Sequence, residues 1–149
     1  MLGIDQQVSD LDNGMEFRSE VAYTDDRVIN KRYWNFCYGV EYGVLEKLTF
    51  LAEYYYNGAN HTSNSSGIWN SCENYFGITA KVALGEKINI SCTEILNMDD
   101  SSIVMNIILG NKLSDELDYE LGTSFGLGDS TTEFGSQQKS VFFKLSNVL

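Results

Sequence analysis

Proline is absent from the 149 residues, histidine occurs once, and cysteine occurs three times. A proline-free chain that is 43% hydrophobic is not a disordered acidic tail, and it suits one all-β unit. His61 is the single histidine and lies in an Asn/Ser-rich stretch, so a Ser-His-Asp or Cys-His centre has no other base to draw on. It reads as a solvated loop residue, and the chain is not expected to be an enzyme. Cys37, Cys72 and Cys92 are widely spaced and include no CxxC pair, which gives neither a zinc site nor a complete disulfide framework. They read as packing thiols. Apolar runs are short, the best being residues 103–109 interrupted by Asn106, so no transmembrane helix is encoded. A transmembrane barrel stays open, because its signal is spread over many weak alternating segments.

Basic residues are also scarce: 10 Lys and Arg face 21 Asp and Glu, for a net charge of −11. Such a surface repels nucleic acid and anionic headgroups, which excludes nucleic acid as a partner and leaves cationic solutes compatible. Gly-rich phosphate-binding patterns are missing, and no cofactor is expected. Asp99, Asp100 and Asp129 have carboxylates for Ca²⁺ but not the spacing of a calcium loop. The triplets starting at Asn60, Asn64 and Asn89 match the glycosylation pattern, which is common by chance. The first ten residues, MLGIDQQVSD, lack the basic and apolar regions of a secretory signal.

What the chain does have is alternation, clearest in residues 33–58. Trp34, Phe36, Tyr38, Val40 and Tyr42 share one parity, opposite Asn35, Cys37, Gly39, Glu41 and Gly43. After a turn at residues 44–47, Leu48, Phe50, Ala52, Tyr54 and Tyr56 repeat the pattern against Thr49, Leu51, Glu53, Tyr55 and Asn57. A period of two over about ten residues is a long strand with one greasy face, and about ten tilted residues cross an apolar band about 25 Å tall.

The same reading extends along the chain. A short strand with Leu2, Ile4 and Val8 enters a turn at residues 10–14, and Met15, Phe17, Val21 and Tyr23 follow before a charged loop at 24–32. Beyond the hairpin, residues 59–74 read as a long loop. Phe76, Ile78, Ala80, Val82 and Leu84 then turn through 85–87 into Ile88, Ile90 and Cys92. Glu94 falls on the apolar parity there, so a bulge near Cys92–Thr93 is expected, returning Ile95 to the apolar side. Ile103, Met105, Ile107 and Leu109 form the next apolar row, although Val104 and Ile108 make its other face less polar. Leu117, Tyr119, Leu121, Phe125 and Leu127 follow, then a loop at 128–139 and a last strand at 141–149.

The expectation is therefore an all-β, antiparallel up-and-down meander of about nine long strands in a single unit, of transmembrane β-barrel type and incomplete or open. Three features point the apolar parity at lipid. Charges almost vanish from it, as expected where Lys or Arg would cost about 2–4 kcal/mol at the midplane. Its aromatics gather toward strand ends: Tyr23, Trp34, Tyr54, Tyr56, Phe76 and Phe143 near the long loops, and Phe17, Tyr42, Phe50 and Tyr119 near the short turns. The opposite parity mixes charges with many glycines, which suits a curved lumen wall. Its lining residues would be Glu16, Arg18, Glu20, Glu41, Glu53, Lys81, Asp118, Glu120 and Lys144, where acids outnumber bases six to three. Glu41 and Glu53 could form a carboxylate pair as in glycoside hydrolysis, but a polar wall is the simpler reading. Alternation also fits a soluble acidic barrel or sandwich that binds an apolar ligand among the same aromatics.

The stretches GVEYGVLEKLTFLAEYYYNG and LGTSFGLGDSTTEFGS, with a final strand that ends the chain, resemble the C-terminal strands of porin-like outer-membrane β-barrel proteins of Gram-negative bacteria. The resemblance covers most of the chain. It implies a bacterial outer-membrane location, contact with membrane lipid and the barrel-assembly machinery, and passive diffusion of small hydrophilic solutes or ions with a mild cation preference. Nine strands is odd where bacterial barrels are even, so it also implies a C-terminal part of a larger barrel. Such proteins usually end in an aromatic residue, whereas this chain ends in Leu149.

Overall fold

A computed structural model describes residues 2–10, 14–26, 30–44, 47–59, 73–114 and 117–147. They form β1 (Leu2–Asp10), β2 (Met15–Asp26), β3 (Lys31–Val44), β4 (Leu48–Asn57), β5 (Asn74–Leu84), β6 (Ile88–Asn97), β7 (Ile103–Lys112), β8 (Leu117–Leu127) and β9 (Ser140–Asn147). Every strand pairs antiparallel with its sequence neighbour, giving one nine-stranded sheet in the order β1 to β9. The sheet is not closed: among the described residues β1 meets only β2, and β9 meets only β8.

Local chemistry explains the turns. Gly14 takes a φ of 66° in the turn expected at residues 10–14, and Gly85 turns the 85–87 connection at a φ of 78°. The expected loop at 24–32 is largely strand instead. Thr24, Asp25 and Asp26 pair with Tyr33, Arg32 and Lys31, because opposite charges face each other across the ladder, with Arg32 Nε 3.3 Å from Asp25 Oδ2. His61, Cys72 and the middle of the 59–74 stretch lie outside the described residues, as does Leu149.

Register keeps the two parities on separate faces across all nine strands. Phe17, Val40, Ala52, Ile78 and Glu94 fall in one row through successive pairings, and Arg18, Gly39, Glu53, Gly77 and Ile95 fall in the row behind it. The expected bulge at Cys92–Thr93 is absent. Pairing runs unbroken from Cys92 opposite Ala80 through Glu94 opposite Ile78 to Leu96 opposite Phe76. Glu94 therefore stands exposed on the apolar face between Ile78 and Met105, and Ile95 stays on the polar face. The reason is packing: Ile95 is held there by a small core of Tyr75, Val104 and Phe134.

That core identifies the covered face. Val104 is 1% exposed and Phe134 0%, while on the opposite face Trp34 is 55%, Phe50 43% and Ile78 47% exposed. In an ordinary soluble fold the greasy side would be the buried one. Here it is bare.

Candidate functional site

All nine charged residues expected to line a lumen stand on the polar face, and the pairing brings them into three groups. At the end near β1 and β2, Arg18 donates through Nε to Glu16 and through Nη2 to Glu41 Oε2 at 3.1 Å. Glu41 is thereby committed to an ion pair, while Glu53 sits one pair away, opposite Gly39 on one side and Gly77 on the other. Glu20, opposite Cys37, shares this acidic region. At the other edge Lys144 Nζ lies 3.4 Å from Glu120 Oε2, and Asp118 pairs with Lys112 and Ser146. Lys81 stands alone in mid-sheet between Thr49 and Ser91 and is exposed.

The aromatics of the apolar face cluster as well. Tyr23 meets Trp34 with ring centroids 4.8 Å apart, and Phe36 stacks on Tyr56 at 4.7 Å. Tyr54 donates to Asn74 Oδ1 at 2.6 Å, and Phe76 is its cross-strand neighbour. Tyr42 pairs with Phe50 near the short turns. Phe143 departs from its expected place at the long-loop end. The β8–β9 ladder reaches only Ser124 opposite Ser140, short of Leu127, so Phe143 lies opposite Leu121 and stacks on Tyr119 at 6.1 Å. Tyr38 lies exposed in mid-strand and extends the Phe36 group, its ring centroid 5.7 Å from that of Phe36.

The sequence reading missed the segment at 128–139, which folds back over the polar face. Phe134 inserts against Tyr75, with ring centroids 6.3 Å apart, and beside Val104. Around it the polar groups close a network. Tyr75 Oη and Asn97 Nδ2 both donate to Glu133 Oε2, at 2.8 and 2.7 Å. The Glu133 N–H donates to Asp100 Oδ2 at 2.7 Å, and the Phe134 N–H to Ser102 Oγ at 3.1 Å. Gly126 permits this approach, because a Cβ there would lie 1.7 Å from the Phe134 carbonyl oxygen. Gly122, expected to be open lumen wall, is likewise covered by the Phe142 ring. The signal for this patch was present as Tyr55, Tyr75, Ile95, Val104 and Ile108, apolar residues on a parity otherwise polar.

Asp99 and Asp100 are thus anchors. Burial raises the pKa of Asp99, but donation from the Asn74 amide side chain and from the Asn74 and Glu73 N–H groups outweighs it and holds the carboxyl below its ordinary value of 3.8. Asp100 is held low in the same way against its own burial, by Glu133 N–H and by the hydroxyl and N–H of Ser102. Cys37 and Cys92 are free thiols on opposite faces, so the sheet itself separates them.

Compared with family models, with curated proteins and with solved structures, the chain matches none of them.

Proposed function

We propose that this sheet is part of the wall of a porin-like outer-membrane β-barrel, with its apolar face against lipid and its polar face lining a passive path for small hydrophilic solutes. The observation that carries the reading is the inverted exposure: long strands leave Trp34, Phe50, Ile78 and Leu121 bare while the polar face holds the only core among the described residues. Bare aromatic and aliphatic surface of this extent needs a cover, and hydrocarbon is the cover that strands of 8 to 14 residues fit. The alternative, a soluble barrel holding an apolar ligand, requires these same aromatics to face inward.

Among the nine residues expected to line the path, six acids against three bases give it a mild preference for cations. The segment around Phe134 narrows it. Edge backbone groups of β1 and β9 would be costly in hydrocarbon, so the wall continues through further strands. Both edges run in the same direction, and an all-antiparallel closure therefore takes an odd number of them.

The test is extraction followed by conductance. The protein expressed from its full reading frame should need detergent for release from membranes. In planar bilayers under a KCl gradient it should show a reversal potential of cation sign that Glu20→Lys moves toward zero. Release by alkaline carbonate alone, or a cation preference that Glu20→Lys leaves unchanged, would contradict the reading.

A further inference from the structure

The polar face carries a pocket of about 310 Å³ beside the Phe134 core, walled by Tyr55 and Tyr75, with Glu53 at one side and Gly77, Thr79 and Ile95 beneath. We propose that it binds a small organic cation of the alkylammonium class. The two tyrosine rings stand with centroids 6.3 Å apart, tilted by 35°, and ring faces attract a poorly hydrated cation. Three of the pocket's four hydroxyls take part in hydrogen bonds: Thr79 and Thr93 bond each other at 3.0 Å, and Tyr75 donates to Glu133. A neutral polar ligand therefore finds few partners there.

The charge is supplied by Glu53. This half-buried carboxylate makes no hydrogen bond or ion pair among the described residues: it feels the charge of Arg18, but the Arg18 guanidinium is bound to Glu16 and Glu41. A chain of net charge −11 repels anions from the same place. A hydrated alkali ion gains little from ring faces, whereas a methylated ammonium loses little water and meets both rings and the carboxylate at once. The inference needs the pocket alone and holds whether or not the face lines a channel.

The probe is tetramethylammonium, titrated into the full chain in detergent micelles while the backbone amide resonances of Gly77, Thr79 and Thr93 are followed. Saturable shifts at these amides are expected. Glu53→Gln, which keeps the side-chain shape, should weaken binding roughly tenfold, an amount in the range of one ion contact on an aromatic wall. Glu94→Gln removes the same charge from the same sheet on the opposite face and should leave binding as it was. Tert-butanol, the neutral analogue, should bind at least tenfold more weakly than the cation. Absence of saturable shifts, equal loss in both glutamine variants, or equal binding of tert-butanol would overturn the proposal. Spectra unchanged away from the pocket certify that each variant is folded.

Discussion

Phe134 and Asp100, which holds the neighbouring Glu133 N–H, decide how the polar face is covered. An aromatic ring with no exposure, held by contacts to Tyr75 and Val104, is the type of side chain whose truncation costs about 3–5 kcal/mol. Phe134→Ala should lower the stability of the folded sheet by that order in urea unfolding from micelles, and a loss below about 1 kcal/mol would show that the segment is not part of the core. Asp100, through the Glu133 N–H, gives this anchoring a pH dependence, and Asp99 gives one to the start of β5 through the N–H groups of Glu73 and Asn74. Both have depressed pKa values in the folded state, so their contribution is complete above the ordinary value of 3.8 and is lost as the pH falls below it through the depressed values. Hydrogen exchange of the Glu133 and Phe134 amides should accelerate in that window, and Asp100→Asn should produce much of the acceleration already at neutral pH. Exchange that is insensitive to pH below 3.8 would remove Asp100 from this role.

At the scale of the strand, the unbroken β5–β6 ladder is the informative element. Thr79 and Thr93 face each other with their hydroxyls 3.0 Å apart, which only the straight register allows. The double variant Thr79→Cys, Thr93→Cys should therefore form a disulfide under mild oxidation, whereas a bulge at Cys92–Thr93 would carry the two thiols apart. The straight register leaves Glu94 on the apolar face, and on the proposed lipid-facing orientation Glu94→Leu should stabilise the sheet in liposomes by up to about 2 kcal/mol, as judged by urea midpoints. These strands were legible in the sequence because period-two alternation is a local property, so turns such as 85–87 and the span at 128–139 are found within a residue or two. The register fault was misread for a physical reason. A single acid on a greasy parity looks like an error to be corrected, but the competing term, burial of Ile95 beside Tyr75 and Val104, depends on a segment some 40 residues later folding back. The charged stretch 24–32 was misread because Asp25 and Arg32 satisfy each other only once paired. Of the candidate site, the charged lining was readable by parity, while the covering by Phe134 and Phe142 was not.

For the whole molecule, the account rests on one claim: the apolar face of the meander meets lipid, and the polar face does not. The lumen charge and the girdles hang on it, since the same alternation with the opposite curvature would describe a soluble barrel. Neighbouring residues Ile78 and Thr79 lie on the two faces of β5 and separate the possibilities in one pair of variants. In a chain freed of its two native tryptophans by Trp34→Phe and Trp69→Phe, a tryptophan is placed at position 78 or at position 79 by Ile78→Trp or Thr79→Trp. Each protein is reconstituted into vesicles of lipids brominated on their acyl chains. The account predicts strong quenching by the brominated chains at position 78 and little at position 79, with aqueous iodide giving the reverse order. Equal quenching at the two positions, or protection of position 78 from the brominated chains, would contradict it.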